Sequence, residues 1–429
     1  MTSPFAQIVA AHKAGAPVGV TSVCSAHPLV IEAAMRQCQE DGAPVLIEAT
    51  SNQVDQFGGY TGMTPVDFRV FVEGIADKVG LDRSRLVLGG DHLGPNRWQG
   101  EPAEMAMAKA EELVAAYVAA GFEKIHLDCS MSCVDDPASL GDGTVSTRAA
   151  RLLAVAERVA ADVGGLAPRY VIGTEVPVPG GAHEEIAALT PTSPESARAT
   201  LEAHRKAFAA AGFGHVWPRV MALVVQPGVE FDHLKVVDYD RSRVGALKEV
   251  LAEEPGLIFE AHSTDYQTAG RLAALVEDHW AVLKVGPGLT FALREAFVAL
   301  GHIESELVSS GERAGLLETM ERRMLEEPRW WEPYYTGDAT AQRIARRWSY
   351  SDRMRYYWPD PEVAAAQSRL LARLEALAIP ETLVRQYLPR QYDRVRDGSL
   401  PLSAHALVVD HIRDELRPYA AACRAGVLT

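Results

Sequence analysis

Short apolar, β-branched runs recur along the chain, each followed by a polar or Gly/Pro-rich turn and a longer amphipathic stretch. The apolar runs predict strands at 18–24, 44–50, 85–91, 124–128, 169–175, 219–226, 257–262 and 281–286, because turn residues bound each of them. Helical spacing between them predicts helices over 29–41, 65–79, 102–120, 145–163, 194–211, 243–253 and 265–277. Alternating strands and helices imply an α/β fold with a parallel sheet. Eight strands is the number that closes a (β/α)8 TIM barrel. A doubly wound open sheet is the competing architecture, but the GxGxxG turn it needs after the first strand is missing.

The repeat stops after residues 291–307, so the barrel is expected to span residues 1–309. Residues 310–429 are different in kind: they carry Trp330, Trp331, Trp348, Trp358 and many arginines, and helical stretches such as 361–378 without apolar strand runs. They are expected to form a helical C-terminal extension packed on the barrel. A length of 429 residues suits one barrel of about 250–300 residues plus such a piece.

The formal charge of -15 argues against binding nucleic acid, which needs clustered Lys and Arg, and against an anionic membrane surface. Five cysteines without a CxxC pair read as reduced thiols, not as a structural zinc knuckle. No basic segment followed by an apolar one opens the chain, and no long unbroken apolar run occurs. A cytoplasmic enzyme is expected.

In a TIM barrel the chemistry sits where the strands run out. The predicted strands end in Ser22 and Cys24; Glu48, Thr50, Ser51 and Asn52; Asp91 and His92; His126 and Asp128; Glu175; Gln226; Glu260 and His262; and Lys284. Ionisable groups are expensive to bury beside apolar runs, so their recurrence at one end of strand after strand marks a site. His92, Glu175, Gln226 and His262 are the candidate ligands for one divalent metal, with zinc, manganese, cobalt or nickel suited to imidazole and carboxylate. Gln226 is the weakest of the four, since an amide there also suits a substrate hydroxyl. Asp91, Asp128 and Glu175 are the candidate catalytic carboxylates, although Asp91 and Asp128 also fit as partners that orient a ligand histidine.

A phosphate can be cradled by backbone N–H groups in KVGPGLTFALREA (284–296), through Lys284, Gly286 and Gly288, or by Ser263 and Thr264 in HSTDYQ (262–267). Helix capping is the plainer reading of both stretches. Ser51 and Asn52 are further substrate-binding candidates. VPVPGGAH (176–183) is either a Gly-hinged flap or a surface turn. In SYSDRMRYYWP (349–359), Arg353 or Arg355 either clamps an anion or belongs to an aromatic core.

EATSNQVDQFGGYTGMTP (48–65), GGDHLGPNRW (89–98), KIHLDCSMS (124–132), VIGTEVPVPGG (171–181), VVQPGVEFDH (224–233), EAHSTDYQT (260–268) and KVGPGLTFALREA (284–296) resemble the tagatose-bisphosphate aldolase accessory-subunit family, GatZ/KbaZ-like. SDRMRYYWP (351–359) and QYLPRQYDR (386–394) fit the same family. The resemblance implies a barrel of class II aldolase type and a role in carbohydrate metabolism, in galactitol or aminosugar catabolism. Some members of this family are regarded as non-catalytic partners that stabilise a class II aldolase subunit. Others resemble D-tagatose 6-phosphate 4-epimerases, and a stand-alone aldolase is a third option. An older description as a tagatose 6-phosphate kinase finds no Walker A or kinase Gly-rich loop here. Asp91-His92 resembles the Asp-His pair of class II aldolases, with the His on zinc and the Asp as acid/base, and His262 resembles a later zinc histidine. The sequence departs from that pattern at VVQPG, where Gln226 stands in place of a histidine. The expected activity is therefore metal-dependent C4 epimerisation of a phosphorylated ketohexose by retro-aldol chemistry, in a chain expected to form a homo-oligomer.

Overall fold

The computed structural model describes residues 3–177, 181–182, 186 and 189–423. Eight parallel strands close into the expected barrel: β1 (Val20–Val23), β2 (Val45–Thr50), β3 (Leu86–Leu93), β4 (Lys124–Leu127), β5 (Arg169–Ile172), β6 (Val220–Val224), β9 (Ile258–Ala261) and β10 (Trp280–Val285). Between β6 and β9 a two-stranded antiparallel pair, β7 (Glu230–Phe231) with β8 (Val236–Val237), lies outside the barrel sheet. Each barrel strand pairs with its predecessor in the barrel, and β10 closes the ring against β1.

The strand interior shows two layers, set by the two-residue alternation of side chains. Val20, Leu46, Val87, Val171, Ala222, Val224, Ile258 and Val282 form the apolar lower layer. Phe5, Ile8 and Val9 of the helix Pro4–Lys13 join this cluster. Further along the strands, at even steps, the inward face carries Ser22, Glu48, Asp91, Lys124, His126, Glu260 and Lys284, all buried. Gly89 is required at this level: a Cβ there would lie 2.7 Å from Cγ of Glu48 on the neighbouring strand.

Several elements are shorter than the pattern predicts. β5 ends at Ile172 and β6 at Val224, short of the expected 175 and 226. The helix expected over 265–277 begins only at Ala269, because residues 262–268 form a hydrogen-bonded loop. The stretch 243–253 is a four-residue helix, Gly245–Lys248, followed by a 3-10 turn.

The helix after β10 runs Pro287–Leu307. The helices that follow it, from Leu316–Glu326 to Ala404–Cys423, contain no strand. The last of them packs against Pro28–Asp41, Ala269–Glu277 and Pro287–Leu307, and Cys423 O accepts a hydrogen bond from Gly19 N at 3.2 Å, just before β1. The extension is therefore tied to the barrel wall. Among the described residues no helix is long and apolar enough to cross a membrane.

Candidate active site

At the C-terminal ends of the strands lies a cavity of about 360 Å³, in the size range of small-molecule sites. Asp91, His92, His262 and Lys284 line its floor, Cys24, Asn52 and Ser263 its sides, and Arg355, Tyr356 and Trp358 reach it from the helical extension.

At this floor three imidazoles meet, His92 and His262 lining the cavity and His126 beneath them. The ring centroids of His92 and His262 are 5.0 Å apart, those of His92 and His126 5.3 Å, and those of His126 and His262 5.4 Å. A carboxylate holds one nitrogen of each ring: His92 Nδ1 lies 2.6 Å from Asp128 Oδ2, His126 Nδ1 2.8 Å from Asp91 Oδ1, and His262 Nε2 3.0 Å from Glu260 Oε1. Pairing of this kind fixes ring orientation and tautomer in metal sites. His92 itself sits at φ 50°, in the left-handed region, at the end of β3.

Two buried lysines neutralise the carboxylates. Lys124 Nζ is 2.9 Å from Glu260 and also pairs with Glu48. Lys284 Nζ is 2.8 Å from Glu48 Oε2, 3.5 Å from Glu260 Oε1, and pairs directly with Asp91. Burial alone raises a carboxyl pKa and lowers that of an amine. For Asp91 burial is outweighed by His92, Lys284 and the His126 hydrogen bond, and the group is held well below the usual range. Lys124 and Glu260 lock one another charged, the lysine shifted up and the carboxyl down against their burial. His262, buried and beside the Lys284 charge, is pushed down to about 3, which keeps its imidazole neutral and able to ligate.

The donor set fits a divalent cation. Ligand atoms of Asp91, His126, Glu260 and His262 all lie within 4.8 Å of one another, and Nε2 of His126 is buried without a hydrogen-bond partner. Imidazole with carboxylate suits zinc, and also manganese, cobalt or nickel.

Of the residues singled out from the sequence, Asp91, His92, Asp128, His262 and Lys284 come together here. Glu175 and Gln226 do not. Glu175, three residues beyond the end of β5, is exposed and accepts hydrogen bonds from Thr192 Oγ1 at 2.6 Å and Ser196 Oγ at 2.5 Å. Gln226 Oε1 accepts from the amides of Gly228 and Val229 at 2.8 and 2.9 Å, closing the turn after β6. His126 and Glu260, not Glu175 and Gln226, are the groups that lie with His262 and Asp91 in this cluster.

The phosphate candidates divide as well. Gly286 lines the cavity, but its N–H and that of Gly288 both donate to Asp265 Oδ1, at 2.9 and 2.7 Å. Thr264 is spent on structure, its hydroxyl donating to Lys284 O at 2.6 Å. Ser51 is buried behind the wall, its N–H donating to Asp91 O at 3.1 Å, while Asn52 and Ser263 line the cavity. Arg353 faces away: its guanidinium stacks over Tyr334 at 3.2 Å and its Nε donates to Trp330 O. Arg355, two residues later, is the arginine on the wall. Half of the expected flap at 176–183, residues 178–180 and 183, lies outside the described residues.

His126 and Glu260 were visible beforehand only as polar strand ends. The signal that finds them is parity within the strand, since Lys124 and His126, or Ile258 and Glu260, repeat at a spacing of two and so share the inward face. Asp265 carried no such signal.

Residues 5–424 match the family D-tagatose-1,6-bisphosphate aldolase subunit GatZ/KbaZ-like. A crystal structure described as a probable tagatose 6 phosphate kinase from Sinorhizobium meliloti 1021 is 50% identical in sequence. It aligns over 94% of this chain and 100% of its own, with a TM-score of 0.87. Two others are far more remote. The fructuronate-tagaturonate epimerase UxaE from Cohnella laeviribosi is 12% identical over 94% of this chain and 81% of its own, with a TM-score of 0.47. The fructose-bisphosphate aldolase of Campylobacter jejuni is 13% identical over 87% and 93%, with a TM-score of 0.45. The family match over nearly the whole length and the relative at half identity agree, and the chain belongs to the D-tagatose-1,6-bisphosphate aldolase subunit GatZ/KbaZ-like family.

Proposed function

We propose that the protein is a metal-dependent ketohexose-phosphate 4-epimerase interconverting D-tagatose 6-phosphate and D-fructose 6-phosphate. The observation that carries this reading is the meeting of three carboxylate-oriented imidazoles beside Asp91, under a cavity of sugar-phosphate size. His126, His262 and Glu260, with His92 alongside, would hold the ion, zinc suiting that set well. A divalent cation there supplies Lewis acidity toward the ketose carbonyl and its neighbouring hydroxyl.

Asp91 then accepts the C4 hydroxyl proton. C4 becomes an aldehyde as the C3–C4 bond breaks, and its electron pair passes into an enediolate over C2 and C3. The three-carbon aldehyde turns its other face to C3, the bond re-forms, and Asp91 returns the proton to the new C4 alkoxide. Carbon and charge balance without a co-reactant. Walls drawn from both barrel loops and the extension, including Tyr60, Tyr356 and Trp358, favour retention of the two fragments, which separates an epimerase from an aldolase.

The test is incubation of tagatose 6-phosphate with the pure protein, reading fructose 6-phosphate with and without a chelator. Chelator-sensitive conversion is expected. No fructose 6-phosphate after loading with zinc, manganese, cobalt or nickel rejects the reading.

The family's description as an aldolase subunit supports a second reading, in which the chain stabilises a separate class II tagatose-bisphosphate aldolase polypeptide. In that case His92→Ala leaves the support of the partner's activity unchanged.

A further inference from the structure

The loop after β9 is held in an uncommon conformation. Ser263 and Tyr266 have φ of 55° and 65°, which non-glycine residues keep only where their surroundings enforce it. Those surroundings are well supplied. Thr264 Oγ1 donates to Lys284 O at 2.6 Å, Tyr266 OH to Tyr350 O at 2.6 Å, and Gln267 Nε2 to Val237 O at 2.9 Å. Tyr239 N donates to Gln267 Oε1 at 2.9 Å.

This bracing fixes Asp265 between them. Its Oδ1 accepts from Gly286 N and Gly288 N, the amides that open the 21-residue helix Pro287–Leu307. A helix N-terminus after the last strand of a barrel is a natural phosphate receptor. Here a carboxylate of the protein already has it. The fit is close, since a Cβ on Gly288 would lie 3.1 Å from the same oxygen. Asp265 is buried, yet it lines the cavity. Burial raises its pKa to about 6 against the pull of the two amides, so at neutral pH it still presents negative charge.

The cations of the cavity are equally committed. Lys284 is engaged by Glu48, Asp91 and Glu260. Among the described lining residues, Arg355 is the remaining lysine or arginine. Its guanidinium rests on neutral acceptors, Asp352 O at 3.2 Å and Tyr356 OH at 3.0 Å, and an anion can add to it without breaking an ion pair.

We infer that the cavity accepts a ketohexose monophosphate and rejects the bisphosphate: Asp265 seals the amides a second phosphate would need, while Arg355 anchors the one phosphate that enters. This rests on the sugar-phosphate reading above but not on turnover.

Calorimetric titration of the metal-loaded protein with fructose 6-phosphate and fructose 1,6-bisphosphate tests it. The monophosphate is expected to bind at least about tenfold more tightly. Asp265→Gly should narrow or reverse that ratio, and Arg355→Gln should weaken monophosphate binding by about tenfold or more. Should Asp265→Gly fail to fold by thermal melting, Asp265→Asn keeps the acceptor oxygen and removes the charge, and it should narrow the ratio by about threefold. Equal or tighter binding of the bisphosphate by the unaltered protein overturns the inference. So does failure to bind either sugar, or an unchanged ratio in a folded Asp265 variant. If the monophosphate preference holds while tagatose 6-phosphate is not converted, the epimerase reading falls and this one stands.

Discussion

Around the barrel mouth, the arc formed by β2, β3, β4, β9 and β10 holds Glu48, Asp91, His126, Glu260 and Lys284 in one buried ionic layer. The arc formed by β5 and β6 places Glu175 and Gln226 at positions of the same strand parity, Val171 to Glu175 and Val224 to Gln226 both being even steps. There the polar groups serve the local backbone and the next helix: Glu175 holds Thr192 and Ser196, and Gln226 closes its own turn. Parity orients a side chain only while the backbone stays extended. β5 and β6 stop before their polar residues are reached, whereas β3 runs through Asp91 and His92.

The carboxylates of the two arcs differ in the same sense. Asp91 and Glu260 are buried but held low by neighbouring cations. Glu230, in the β7 segment after β6, is pushed up to about 7 by its burial and by the Asp265 charge, against hydrogen bonds from Phe231 N and the Ser263 hydroxyl.

The strongest attack on this contrast is Asp91→Asn, which should lower kcat by about 10²–10⁴-fold if Asp91 moves the proton; steady-state conversion of tagatose 6-phosphate measures it. Replacing Lys284 by Met strands buried carboxylates, and a loss of about 3–5 kcal/mol in chemical denaturation is expected. Asp128→Asn, which removes the charge behind His92, should weaken metal binding by about 10–100-fold, read by metal content after dialysis against a competing chelator.

Glu230→Gln probes the other arc through pH. The folded carboxyl titrates near 7 and the unfolded one near about 4.3, so between those values the folded state binds more protons and stability falls as pH rises. The variant should therefore melt higher than the parent at pH 8 and equally at pH 4. The smallest effect is expected from Glu175→Ala and Gln226→Ala, each changing metal affinity by less than about threefold, since polar groups outside the coordination sphere fall short of the usual 10–100-fold. A large loss in either would erase the distinction between the arcs.

The chain's own pattern was enough to define the barrel, because eight apolar runs at βα spacing have few other ways to bury both faces. It also determined the inward face within the strands, since the two-residue period puts Lys124 with His126 and Ile258 with Glu260 on one side. Tertiary structure decided where each strand ended, and with that whether a polar residue met the barrel axis or a local partner. It also decided what holds the amides that open the helix after β10. Asp265 gives no periodic signal, and its hold on Gly286 and Gly288 exists only because the loop after β9 and the helix after β10 are brought side by side. Contacts between segments distant in sequence carry no trace in local pattern, and which polar groups meet at this site is decided by such contacts.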